Sequence, residues 1–239
     1  MIESDLLGPG HLIQGSMEVL GLLPYASNYT LLAKLVIKEE GRESLVVYKP
    51  MEGETPLWDF PPGSLCRREV AAYLVGRAAG WRLVPPTVLR DGPYGVGAVQ
   101  TFVEHNPVIT AFDLAATHRR DLRRITLFDL MVNNADRKAG HVLLDADRRV
   151  WAVDHGICFH PQPKLRTVLW DFVGQPLLDS EKDALVSLVQ ALDEELSVLL
   201  ATLLDEEEVD AMRGRIQSLL DRPEFPTPGP GRPYPWPPV

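Results

Sequence analysis

Only two cysteines, Cys66 and Cys158, occur in the 239 residues. Neither stands in a C-x-x-C or Cys/His spacing, which excludes a zinc ribbon and a multiply disulfide-bonded scaffold. One disulfide stays open as an alternative, although two reduced thiols suit a cytosolic chain better. Long apolar runs are also lacking: charge interrupts every stretch before the ~18 residues that a membrane span needs. The first residues, Met1-Ile2-Glu3-Ser4-Asp5, carry neither the basic start nor the apolar core of a secretory signal. A cytoplasmic location without stable membrane association is therefore expected. Excess positive charge is missing too. The formal net charge is −9, which argues against a nucleic-acid partner or an anionic surface. The densest basic stretch, His118 to Arg124, reads as a solvated helix face.

What is present is an ordinary globular composition, 45% hydrophobic and 24% charged, in a length that suits two lobes sharing a cleft. The first third reads as strands. Residues 11–20 alternate loosely, and 29–37 and 44–49 are apolar runs that form a hairpin around Gly41. A loop with Pro56, Pro61 and Pro62 follows. Ser64 then stands as N-cap of a helix to about Ala79, closed by Gly80. Strands are expected at 83–88 and 96–103. Beyond Asn106-Pro107 the pattern turns helical over 110–132, is interrupted by a short hairpin of 141–145 and 149–154, and resumes over 180–203 and 205–221. Ser180 and Asp183 suggest the cap of the first of these last two helices. The segment 222–239 is rich in proline and glycine and reads as an extended or disordered tail. This is an α+β organisation: a strand-rich N-lobe over 1–105, a mainly helical C-lobe over 106–221, and the tail.

The chemistry gathers in the hairpin. A loop at Asp136-Arg137-Lys138-Ala139-Gly140 precedes His141, and the return strand ends at Asp154-His155-Gly156. The open end of such a hairpin brings His141 and Asp154 together, so that two carboxylates and an imidazole surround one pocket. That set can orient a nucleophile and hold a divalent cation.

Asp136-Arg137, a ligand-type residue at 141, an apolar strand and Asp154-x-Gly156 together resemble the D-R-x-x-x-N … D-F-G pattern of the phosphatidylinositol 3- and 4-kinase superfamily. HipA-type bacterial kinases share its aspartate-before-arginine order. Val47-Tyr48-Lys49-Pro50 is similar to the nucleotide-lysine strand of type II phosphatidylinositol 4-kinases. Glu69 matches the glutamate that pairs with that lysine, Gln100 to Glu104 the hinge strand, and Ser27-Asn28-Tyr29-Thr30 the phosphate-covering turn. The resemblance spans residues 11–175 and implies a short bacterial-type member with a two-lobed kinase-like fold. It also implies roles. Asp136, with Lys49 and Arg137, carries catalysis. Ser27, Asn28, Lys49, Glu69, Gln100, Phe102 and Val103 hold ATP, and His141 with Asp154 binds Mg²⁺ or Mn²⁺.

The sequence departs from that pattern at three places. Histidine replaces asparagine at 141, trading an oxygen ligand for nitrogen and tilting preference toward Mn²⁺. His155 stands where phenylalanine is usual, and no G-x-G-x-x-G covers the phosphates. Each motif alone has a plain structural alternative: a helix-end ion pair for Asp136-Arg137, a surface salt bridge for Glu69, a satisfied core imidazole for His141. Order and spacing across the five sites favour an ATP-dependent phosphotransferase acting on a protein or small polar acceptor. Two alternatives stay open: a non-catalytic ATP-sensing pseudokinase, and a nucleotidyl (AMP) transferase on the same fold. Oligomeric state is not legible.

Overall fold

A computed structural model describes residues 9–24, 28–37 and 41–239. A five-stranded sheet in the order β1-β2-β3-β5-β4 organises the first half. Its strands are β1 (Ser16–Leu22), β2 (Leu31–Ile37), β3 (Arg42–Pro50), β4 (Thr87–Gly92) and β5 (Gly95–Thr101), and each neighbouring pair is antiparallel. Period-two alternation gives the sheet two faces. Leu31, Ala33, Leu35, Ile37, Val46 and Tyr48 form one core with Leu12. Leu12 belongs to a short helix, α1 (Pro9–Gln14), where the sequence suggested a continuous strand over 11–20. Tertiary contacts override that weak alternation: Leu12 is fully buried, and Arg90 Nη1 donates to the carbonyls of Leu12 and Gly15 at 2.8 Å each, terminating the helix.

The opposite face receives α2 (Leu65–Ala78), whose Cys66 and Val70 pack with Ala98. Because Tyr48 points into the first core, its neighbour Lys49 must project on the side of α2. Gly97 permits the close β3–β5 approach behind that lysine, since a Cβ there would lie 2.5 Å from the Lys49 carbonyl oxygen. The start of α2 is not capped as expected. Ser64 Oγ donates to Pro61 O, while the Glu54 carboxylate accepts from the Leu65 and Cys66 amides at 3.1 and 2.8 Å. An acidic group at a helix N-terminus serves both the free amides and the dipole. Gly80 closes the helix at φ +69, as its position suggests.

The second half is helical around one large core that also takes in the inner side of α2. A short helix α3 (Ala111–Leu114) precedes α4 (Arg119–Val132), so the stretch 110–132 is two helices rather than one. The hairpin is β6 (Val142–Leu144) with β7 (Val150–Ala152). The leucine-rich stretch divides into α5 (Asp179–Asp193) and α6 (Glu195–Leu200), followed by α7 (Glu206–Asp221). Arg213 of α7 ends α5 by donating to Leu192 O at 3.0 Å and pairing with Asp193 at 2.6 Å. Burial accordingly follows Leu185, Leu188, Leu192, Leu196, Leu200 and Leu204, while Leu199 is exposed. The α5 cap is also shifted: Glu181 accepts from the Leu178 amide at 2.8 Å.

The proline-rich segment is extended, as its composition suggests, but it packs on the body. Phe225 is buried against Phe172, with the Arg123 guanidinium 4.5 Å from its ring centroid. Among the described residues no helix is long and apolar enough to cross a membrane.

Candidate functional site

The site lies where the sheet with α2 meets the hairpin. From β3, the Lys49 ammonium donates to Glu69 Oε1 of α2, and to Asp154 Oδ1 at 3.0 Å. Glu69 is buried and uses its other oxygen to accept from the His155 amide at 3.1 Å. One carboxylate thus ties the lysine strand to the segment after β7. Burial pulls the Lys49 pKa down, but Asp154 and Glu69 outweigh it and hold the group above its ordinary value. Lys49 in turn, against the opposing effect of burial, keeps the Asp154 carboxyl below the usual range. Asp154 adopts φ +61, a left-handed conformation that Asp tolerates better than most residues and that recurs at functional sites.

His141 faces the same carboxylate, its Nε2 3.3 Å from Asp154 Oδ2. Burial lowers its pKa to about 4, so the imidazole is neutral at physiological pH, the form that ligates metals. The described residues include no cluster of three or more potential ligands. His141 and Asp154 offer one imidazole nitrogen and one carboxylate, so phosphate oxygens and water would have to complete the shell of a divalent cation, and the nitrogen makes the set less suited to Mg²⁺ than an all-oxygen one.

Asp136 sits in the loop after α4, partly exposed, with Lys138 Nζ 3.3 Å from its Oδ2. Burial raises its pKa, partly offset by Lys138. Arg137 is fully buried beneath it. Its guanidinium makes a two-point pair with Asp129 at 2.9 Å each, donates to Val153 O at 2.7 Å, and meets His155 Nε2 at 2.7 Å. Arginine has only donors, so His155 Nε2 must accept, which places the His155 proton on Nδ1. Burial and then Arg137 push the His155 pKa well below the ordinary value. Arg137 therefore joins α4, the Asp136 loop and the Asp154 segment.

The other expected nucleotide residues are dispersed. Gln100 is buried on β5, its Nε2 donating to Thr87 Oγ1 at 2.8 Å. The Phe102 amide donates to Leu45 O at 3.1 Å, continuing the pairing beyond β5. Val103 packs with Leu143 and Trp151, joining the end of the sheet to the hairpin. Asn28 Oδ1 accepts from the Thr55 amide at 2.8 Å. Ser27 lies outside the described residues.

Asp129 and Asn134 escaped the sequence reading. Asn134 Nδ2 donates to Asp129 Oδ1 at 3.0 Å, and its Oδ1 accepts from the Asp136 amide at 2.9 Å. Asp129 had a signal available: it falls seven residues after Leu122 and four after Ile125, a charge on the apolar stripe of α4. Arg68 escaped as well. It is buried, donates to Cys158 O at 2.8 Å, and pairs with Glu208 of α7 at 2.5 Å, fixing α2 against the helical half.

No family model matches the chain. The protein CtkA of Helicobacter pylori, described as a proinflammatory kinase, superposes with a TM-score of 0.53 over 89% of this chain and 94% of its own, at 11% identity. That likeness shows a kinase-like fold. Phosphatidylinositol 4-kinase gamma 4 of rice is 29% identical over 49% of this chain and 27% of its own length. Phosphatidylinositol 4-kinase gamma 2 of Arabidopsis thaliana is 26% identical over 71% of this chain and 40% of its own. The chain therefore spans less than half of either plant enzyme. Protein Rv2133c of Mycobacterium tuberculosis is 42% identical over 95% of this chain and 93% of its own length. The chain thus has a kinase-like fold and belongs to the family of Rv2133c.

Proposed function

We propose that the chain is an ATP-dependent phosphotransferase that uses Mg²⁺ or Mn²⁺ and phosphorylates a hydroxyl on a protein or small polar acceptor. The observation that carries this reading is the Lys49 ammonium held between Glu69 and Asp154. A strand lysine fixed by a helix carboxylate beside a metal-binding carboxylate is the arrangement needed to clamp nucleotide phosphates. Lys49 binds the α- and β-phosphates, and Glu69 orients it. His141 and Asp154 hold the divalent cation, which supplies charge neutralisation on the phosphates. Val103 and Phe102 border the adenine side, at the junction of sheet and hairpin.

Asp136 accepts the proton of the attacking hydroxyl. Its pKa, raised by burial, makes it a better base than an ordinary aspartate. A bond forms between the acceptor oxygen and the γ-phosphorus, and the bond from the γ-phosphorus to the bridging oxygen of ADP breaks. Lys138, beside Asp136, is placed to offset charge on the transferred group.

The test is to incubate the protein with cell extract or metabolite pools and ATP labelled at either the γ- or the α-phosphate. This reading expects product labelled from the γ-position and ADP in equal amount. Label from the α-position would assign nucleotidyl transfer instead. No product from either, with intact ATP binding, would assign a sensor.

A further inference from the structure

The site described above ends at the Asp136 loop, but that loop has a support outside the sheet, the helices and the hairpin. Three extended segments lie side by side. The innermost is the loop itself. The second follows Asp154 and is bonded to both sides of Asp136: the Arg166 amide donates to Asn134 O, and the Arg137 amide to Arg166 O, each at 2.9 Å. The Val168 amide then donates to Arg137 O at 3.1 Å. The outermost is the proline-rich C-terminal segment. Pro233 O accepts from the Thr167 amide at 3.0 Å and from Trp170 Nε1 at 3.2 Å. Pro238 O then reaches the Asp136 loop directly, accepting from the Ala139 amide at 2.8 Å.

The composition of the outer segment suits this use. Proline has no amide donor but keeps its carbonyl, and its fixed φ favours the extended form at low entropic cost. A proline-rich strand therefore presents acceptors to amides that would otherwise lack partners, without adding donors of its own. Its near end is anchored well away from the site. Phe225 is buried beneath Arg123, its amide donates to Gln175 O at 3.0 Å, and its carbonyl accepts from the Gly174 amide at 2.9 Å.

We propose that residues 226–239 are a positioning element of the active site: they hold the 134–141 loop and the 164–170 segment in register, and so fix Asp136 toward the acceptor. The catalytic part of this claim rests on the phosphotransfer reading; the ordering part does not. The lysine clamp is held by Glu69 and Asp154, outside the 134–141 loop, so metal-free nucleotide binding does not depend on the segment, whereas the metal contribution through His141 does.

The experiment compares the full chain with two shortened chains, one lacking 237–239 and one lacking 226–239. Both keep Phe225 and the complete helical core. Amide hydrogen exchange reads the loop, calorimetry reads ATP affinity, and ADP formation reads turnover. Removing 237–239 is expected to speed exchange at Ala139 by about tenfold while leaving Thr167 protected, as loss of one hydrogen bond implies. Removing 226–239 is expected to release both amides and to lower kcat by about 10²-fold, the scale of a 1 Å misplacement, with the ATP Kd measured without metal changed less than about threefold. Pro238→Ala keeps the carbonyl and is expected to behave as the full chain. Unchanged exchange at Ala139 and Thr167 overturns the proposal, as does faster exchange with unchanged or increased kcat. If the full chain forms no ADP with any acceptor, the phosphotransfer reading fails and the exchange result alone decides whether the segment orders the loop.

Discussion

Two neutral histidines enclosed at the site make stability sensitive to mild acid. Burial holds His141 at about 4, and burial together with Arg137 places His155 well below its ordinary value. In the unfolded chain both titrate near ~6.5. Above that pH neither state takes up these protons; below it the unfolded chain binds them and the folded chain does not, so stability is lost as pH falls. For His141 between pH 7.5 and 5, about 1.5 units of unequal protonation at 1.36 kcal/mol per unit costs about 2 kcal/mol. His155 adds a loss of the same sign. Asp154, with its lowered pKa, contributes only below about pH 4, and the raised Asp136 acts in the opposite sense near that range. Urea unfolding at pH 7.5, 6.5, 5.8 and 5.0 measures the effect without metal or nucleotide. The expected loss is at least about 2 kcal/mol by pH 5, and His155→Phe is expected to reduce the slope. Equal stability at pH 7.5 and 5.0, or an unchanged slope in His155→Phe, would refute the reasoning.

The Lys49 clamp is expected to act as a unit. Lys49→Ala weakens ATP binding strongly and Glu69→Ala does so in part, read by calorimetry; unchanged affinity in Glu69→Ala would make the pair merely structural. Asp154→Ala is expected to abolish the extra thermal stabilisation by ATP that Mg²⁺ or Mn²⁺ provides, and equal shifts with and without chelator in the unmutated chain would count against the metal assignment. Glu208→Gln leaves Arg68 buried without its charge partner, at a cost of about 3–5 kcal/mol. In a chain of this size that lowers Tm by about 10 °C, and a fall under about 2 °C in a scanning melt would show that α2 is held mainly by other contacts.

The order of elements was legible because the central strands are short apolar runs bounded by turn residues and the helices carry apolar stripes. Where local pattern and tertiary contact disagreed, contact decided. Residues 11–14 became helical because Arg90 caps them and Leu12 fills the sheet core. Arg213 breaks the leucine stripe at Asp193, and Glu54, distant in sequence, replaces Ser64 as the cap of α2. The lysine, the helix glutamate and the hairpin pair were legible because each is tied to one recognisable element: Lys49 to a strand, Glu69 to the next helix, His141 and Asp154 to the two arms of one hairpin. The supports around them were not. Asp129 and Asn134 act through hydrogen bonds to Arg137 and Asp136 that only the folded loop creates, and Glu208 reaches Arg68 across 140 residues. The proline-rich segment misled most. Its composition suits an extended chain, and nothing in it shows that its carbonyls would find amides of the Asp136 loop.

The central claim concerns Asp136, and its most direct test separates binding from turnover. A carboxylate that only receives the acceptor proton contributes little to ground-state ATP affinity and much to the chemical step. ATP Kd and kcat for ADP formation are to be measured for the unmutated chain and Asp136→Asn with the same acceptor source. The account predicts Kd within about threefold and kcat lowered by about 10²–10⁴-fold; equal kcat in the two proteins would contradict it.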